Sequence, residues 1–141
     1  MDEIGCAEAI ERLRLDRAMD PVGDTAHHVH GGGWQTYRVR IGEGWLGKAT
    51  LRRLERSGAR VGIAGICWGN ILPPGAESAR HRHGAGKELV AVWCLTNSGG
   101  VLHVGYDAIP DQAGQLIIFQ QNEWHWVPKV NEERVTIAAN L

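Results

Sequence analysis

The hydrophobic pattern of this chain changes period at Ala59, and that change does most to limit the fold. From there onward apolar residues no longer recur at helical spacing but run or alternate as strands do. "RVGIAGICWGNIL" is apolar on both faces and stops at Pro73-Pro74-Gly75. "ESARHRH" alternates, and "ELVAVWCLTN" reads as a buried strand closed by Ser98-Gly99-Gly100. "VLHVGYDAI", "QLIIFQ", "EWHWV" and "RVTIAANL" complete the series. About seven short strands, with turn signals roughly every 8 to 12 residues, predict an antiparallel sandwich or small barrel. The 19 glycines supply the tight turns that such a chain needs.

Before Ala59 the reading is helical. Residues 3–19 place Ile4, Ala7, Ile10, Leu13 (with Ala9) and Met19 at helical spacing. A second helix is predicted from Trp45 to Arg56, with Leu46, Ala49, Thr50, Leu51 and Leu54 on one side and Ser57-Gly58 as its stop. Between them "DPVGDTAHHVHGGGW" reads as a long irregular segment. A chain of 141 residues suits one domain, with residues 1–58 as a helical region and 59–141 as the β core. A net charge of −1 and the lack of a basic run give no support to a nucleic-acid partner. No apolar run approaches the roughly 18 residues of a membrane span. The acidic, amphipathic start does not read as a signal peptide. Cys6, Cys67 and Cys94 are an odd number at wide spacings, read as reduced thiols in a cytoplasmic protein.

Three side chains able to bind a metal, His81, His83 and Glu88, fall within eight residues just after the Pro-Pro-Gly turn. In a strand, alternate side chains share a face, so His81 and His83 point one way and Arg80 and Arg82 the other. Two imidazoles about 7 Å apart along one face can grip a single ion. Glu88 opens the next strand and can return to the same place, while His125 comes from a late strand and shares its face with Glu123 and Val127. Imidazole ligands suit Fe(II), Mn, Ni, Cu or Zn; with open positions they suit non-haem Fe(II).

"Gly75-AESAR-His81-Arg-His83-GAGK-Glu88" resembles the first motif of the cupin superfamily: glycine, five residues, His-x-His, four residues, glutamate. The glycine expected about six residues later is absent, and of the usual second motif "QQNEWH" keeps only His125 and its spacing. The resemblance implies an all-β, double-stranded β-helix barrel, here behind two N-terminal helices, with His81, His83, Glu88 and His125 as metal ligands. "WGNILPPGAESARHRH", "GGVLHV", "GQLIIFQQNEWHWV" and "ERVTIAAN" also resemble the prolyl-hydroxylase type of 2-oxoglutarate/Fe(II) oxygenase, which shares that barrel. There the resemblance implies that Arg134, opening the last strand nine residues after His125, grips the far carboxylate of 2-oxoglutarate. The faces of that strand agree: Arg134, Thr136, Ala138 and Asn140 lie on one side, Val135, Ile137, Ala139 and Leu141 on the other. The arginine fork suits a carboxylate. His83 departs from this second family, which carries an aspartate at that position. Together the resemblances cover about residues 60–141 and leave residues 1–58 unexplained.

The resulting expectation is a metal-dependent oxygenase, with non-haem Fe(II) and with 2-oxoglutarate as a candidate co-substrate, acting on a small polar or carboxylate-bearing molecule. Glu88, Arg134 and Tyr106 are the candidate catalytic groups. An oxygen-independent lyase, isomerase or cyclase, with Glu88 or Tyr106 moving a proton, and a non-enzymatic ligand-binding cupin stay open. His27, His28 and His30 are read as a solvent-exposed or structural loop, and His103 as a core histidine or a cavity residue. Trp124 and Trp126 are expected under a helix or at a subunit interface, Trp68 and Trp93 in the core or a dimer contact, and Arg80 and Arg82 on a salt-bridged outer face. The doubly apolar strand at residues 60–72 is read as covered by a partner chain, hence a homodimer.

Overall fold

The computed structural model describes residues 4–62 and 64–141. The elements are, in order, α1 (Cys6–Met19), β1 (Val29–His30), β2 (Trp34–Gln35), β3 (Val39–Arg40) and α2 (Gly44–Arg56). There follow β4 (Ile66–Leu72), β5 (Glu77–His81), β6 (Leu89–Cys94), β7 (Val101–Val104), β8 (Asp107–Pro110), β9 (Leu116–Gln120), β10 (His125–Val127) and β11 (Arg134–Asn140). Glu3 and Ile63, which the sequence reading placed in the first helix and the first long strand, lie outside the described residues. The strand expected over 60–72 forms only from Ile66.

Two antiparallel sheets face each other. One runs β1-β5-β10-β7-β8, and the other β2-β4-β11-β6-β9 with β3 also on β4. Chain neighbours β4 and β5 lie in different sheets, and so do β6 and β7, which is the double-stranded β-helix arrangement anticipated from the sequence. The segment expected to be one strand, "VLHVGYDAI", is instead a hairpin. Val104 pairs with Asp107, and Gly105 takes φ +56° in the turn between them, a backbone region that suits glycine.

β11 is the spine of the larger sheet, paired along its length with β4 on one side and β6 on the other. Its alternation divides the molecule. Val135, Ile137 and Ala139 join Cys67, Ile71, Ala91 and Trp93 in a core closed by Ala9 and Leu13 of α1 and by Leu46, Ala49 and Leu54 of α2. Arg134, Thr136, Ala138 and Asn140 face the space between the sheets. β4 is apolar on both sides for the same reason: one side meets the helices, the other the interior. The cover that the sequence reading assigned to a partner chain is thus supplied by α1 and α2.

α1 docks closely because Gly69 on β4 carries no side chain; a Cβ there would sit 2.3 Å from Leu13 Cδ2. The buried stripe of α1 runs through Ala9 and Leu13, flanked by Cys6 and Ile10, while Ala7 and Met19 face solvent, unlike the face first drawn for them. α2 ends as expected: Ala59 N–H bonds to Leu54 O at 3.1 Å and Gly58 N–H to Glu55 O at 3.0 Å, the paired bonds of a glycine-terminated helix. The segment between the helices is not irregular throughout. β1 adds to the smaller sheet beside β5, and β2 and β3 add to the larger beside β4. All three cysteines are free thiols. Among the described residues no helix is long and apolar enough to cross a membrane.

Candidate metal centre

β5 and β10 meet out of simple register. His125 pairs with His81 and Val127 with Ser78, so Ala79 and Arg80 together oppose the single residue Trp126. This is a β-bulge, a device that re-aims side chains beside functional sites. Ser78 and Val127 line the interior, and beyond the bulge so do His81, His83 and His125.

The ligand atoms of His81, His83 and His125 all lie within 4.8 Å of one another. Each ring is tethered through the nitrogen that faces away. His81 Nδ1 donates to Ala79 O at 2.8 Å, a carbonyl of the bulge itself; His125 Nδ1 donates to Glu123 O at 3.1 Å; His83 Nδ1 donates to Asn140 Oδ1 at 2.7 Å. Acceptors on all three Nδ1 atoms fix the tautomer and leave each Nε2 with a free lone pair, the arrangement metal-binding histidines need. Burial keeps the rings neutral. It pushes the His125 imidazole down to about 3, with His81 adding to the effect, and lowers those of His81 and His83. Phe119 packs against His125 with ring centroids 4.9 Å apart, and Trp68 lies 5.6 Å from His83.

Glu88 is not brought to this group. It is exposed, and its Oε2 accepts a hydrogen bond from Gln121 Nε2 at 2.6 Å. Tyr106 is farther out of the reckoning: it is fully exposed in the β7–β8 turn and does not line the cavity. His28 enters instead. β1 holds it so that its ring stacks on His81 at 3.7 Å between centroids, and burial and the charge of His81 push its imidazole down to about 4. A two-residue strand has no period of its own, so only its long-range pairing with Glu77 and Ser78 could have revealed this. His30, by contrast, is exposed and 3.3 Å from Glu77 Oε1.

The three histidines open on a cavity of about 500 Å³ between the sheets. Its walls carry Leu72, Val92, Leu102 and Val127, and Arg134 also lines it. Arg134 is buried; its Nε donates to Asp111 Oδ2 at 2.7 Å, and Ser98 Oγ donates to that same oxygen at 2.6 Å. Its terminal nitrogen NH2 and the Oδ1 of Asp111 are both buried without a hydrogen-bond partner, a cost that the pair carries. A polar strip crosses the wall: Gln35 Nε2 donates to Asn70 Oδ1 at 2.7 Å, and Asn70 Nδ2 to Thr136 Oγ1 at 3.2 Å.

On the outer face Trp126 stacks on His103 at 4.8 Å between centroids with the rings 2° from parallel, so His103 is neither core nor cavity lining. Trp124 lies under Arg80 and Arg82 rather than under a helix, and Trp68 under Arg38. Arg80 and Arg82, expected on a salt-bridged outer face, instead stack on Trp124, and all three line the cavity. Trp93 is buried in the helix-side core.

No protein-family model matches this sequence, and no curated protein does. Solved structures do. A prolyl-4-hydroxylase of Pseudomonas putida is similar over 96% of this chain and 84% of its own, at 19% identity and a TM-score of 0.67. The viral collagen prolyl hydroxylase of Paramecium bursaria Chlorella virus-1, solved in complex with 2-oxoglutarate, covers 99% of this chain and 90% of its own, at 14% identity and a TM-score of 0.66. A cupin-like protein of Thermotoga maritima covers 84% and 77%, at 16% identity and a TM-score of 0.56. The chain therefore has a cupin-like double-stranded β-helix fold, with a structural resemblance to prolyl hydroxylases, and it carries a histidine group that could hold a metal.

Proposed function

We propose that this protein is a metal-dependent, non-haem Fe(II) oxygenase acting on a small carboxylate-bearing molecule. The observation that carries the reading is the convergence of His81, His83 and His125, each tethered at Nδ1, at a cavity that Arg134 also lines. The donor set fits the metal: neutral imidazole nitrogens are ligands for iron and its neighbours. Bound there, Fe(II) would supply the electrons and the open coordination positions that O2 activation requires.

The chain's own residues do the rest. Asn140 and the carbonyls of Ala79 and Glu123 hold the imidazoles in orientation. Three imidazoles add no charge, so a divalent cation keeps both of its own, and an anionic substrate balances them. Arg134, held by Asp111, which also accepts from Ser98, is the buried cation of the lining that would meet a carboxylate. Leu72, Val92, Leu102 and Val127 keep water away from the reacting groups. Whether the carboxylate belongs to 2-oxoglutarate or to the substrate turns on His83, which stands where the 2-oxoglutarate enzymes resembled here carry an acid. The oxygen-independent alternative relied on Glu88 or Tyr106 to move a proton, and both lie outside the cavity.

The test is Fe(II) titration of metal-free protein under anaerobic conditions, followed by oxygen uptake with candidate carboxylic acids, 2-oxoglutarate among them. Binding of about one equivalent is expected, lost in His125→Ala and retained in Glu88→Gln. A protein that takes up no divalent metal at micromolar levels would sink the proposal. Ligand binding with no oxygen consumed would make it a binding protein.

A further inference from the structure

The cavity is charged in one direction only. Its lining holds four arginines, Arg38, Arg80, Arg82 and Arg134, and among the described residues no aspartate, glutamate or lysine, although the whole chain carries a net −1. Arg134 is the buried one. The other three are exposed and lie over indoles that also line the cavity: Arg82 at 4.9 Å and Arg80 at 5.1 Å from the Trp124 ring, and Arg38 at 4.8 Å from that of Trp68.

A guanidinium stacked on an indole is held in place while its edge N–H groups remain able to donate. Arg38 uses one of these on Asp24, at 3.1 Å to the carbonyl and 3.4 Å to the carboxylate. Arg80 and Arg82 have no carboxylate partner among the described residues. Two like charges therefore share one indole, without a carboxylate partner among the described residues, in the lining of a pocket whose buried arginine is held by Asp111. Guanidinium groups at both places, with no acid in the lining, suit a ligand that is negative at both ends.

We propose that the ligand of this cavity is an elongated small-molecule dianion, one anionic group at Arg134 and the second between Arg80 and Arg82. This rests on Arg134 being the inner carboxylate anchor. The chemistry shared by the possible ligands is a carboxylate joined by a short apolar chain to a second carboxylate or a phosphate-type group. A cavity of about 500 Å³ accommodates a molecule of that size.

Calorimetric titration of the metal-free full chain at low ionic strength tests it, with suberate, its monomethyl ester and 6-phosphonohexanoate as probes. The dianions are expected to bind at least about tenfold more tightly than the half ester, as an added charge-assisted contact provides. In the Arg80→Gln/Arg82→Gln double variant that advantage disappears, while half-ester and Fe(II) affinities hold; circular dichroism checks that the variant is folded. Tighter binding of 6-phosphonohexanoate than of suberate assigns a phosphate-type outer group, and the reverse a dicarboxylate. Equal binding of suberate and its half ester, or an advantage that survives the double variant, overturns the proposal and leaves the oxygenase reading standing. Half-ester binding indifferent to Arg134→Gln removes the inner anchor and overturns the two-ended ligand with it, while Fe(II) affinity reports separately on the histidines.

Discussion

Asp111→Ala is the substitution whose effect follows most directly from the structure. Asp111 and Arg134 are 1% and 5% exposed at their side chains, and Asp111 Oδ2 takes hydrogen bonds from Arg134 Nε at 2.7 Å and Ser98 Oγ at 2.6 Å. Removing the carboxylate strands a guanidinium that cannot shed its proton, in a place where one terminal nitrogen already lacks a partner. Breaking a buried pair in this way costs about 3–5 kcal/mol. With an unfolding entropy of about 0.3 kcal/mol/K for a chain of this length, the melting temperature should fall by roughly 10–17 °C. Arg134→Met should cost less, because the carboxyl left behind can take up a proton. The Asp111→Ala/Arg134→Met double variant should be more stable than Asp111→Ala alone, since it leaves no charge unpaired. Urea unfolding followed by circular dichroism measures all three. A loss below about 1 kcal/mol for Asp111→Ala, the value of an exposed pair, would refute the argument that this pair is buried and holds Arg134 in place.

Asn140→Leu should lower Fe(II) affinity about 10- to 100-fold by freeing the His83 ring, with the melting temperature of the metal-free protein moving far less; unchanged affinity would mean that the Asn140 contact does not orient the ligand. Acid should destabilise the metal-free protein well before its carboxylates titrate. His28 and His125 are held down to about 4 and about 3, so as pH falls below the ordinary histidine value of 6.5 the unfolded chain takes up protons that the folded one refuses. The urea midpoint should therefore drop steadily from pH 7 to pH 4.5, and a flat profile would contradict the burial of these rings. Gly69→Ala places a Cβ 2.3 Å from Leu13 Cδ2 and should cost about 1–3 kcal/mol by overpacking. Combined with Leu13→Ala it should cost less than the sum of the two, and strict additivity in a thermal melt would show that α1 does not rest on Gly69.

What could be read from sequence depended on range. The two faces of β11, the stop of α2 and the shared face of His81 and His83 each follow from local periodicity or spacing, and His125 joined them through the resemblance to the cupin motifs. His28 did not, because nothing in "HHVHGGG" has a period; its position comes from β1 adding to β5 across nearly fifty residues of chain. Tyr106 was misplaced because an alternating run was followed through Gly105, where positive φ turns the chain back. Glu88 was misplaced because spacing alone cannot say whether a loop returns a carboxylate inward or leaves it on an exposed amide. The Arg–Trp stacks involve side chains from four separate segments, so no single stretch of sequence contains them.

The bulge at Ala79-Arg80 carries a consequence for how this site could arise or be lost. Counted by twos from Ser78, which faces the cavity, an uninterrupted strand would turn His81 and His83 away from His125 and put Arg80 and Arg82 in their place. The extra residue reverses that parity for everything after it. Deleting Ala79 would leave every histidine and arginine in the chain and still dismantle the metal group, because His81 and His83 would no longer meet His125. Whether this barrel can hold a metal is thus decided by an odd or even number of residues as much as by the histidines themselves.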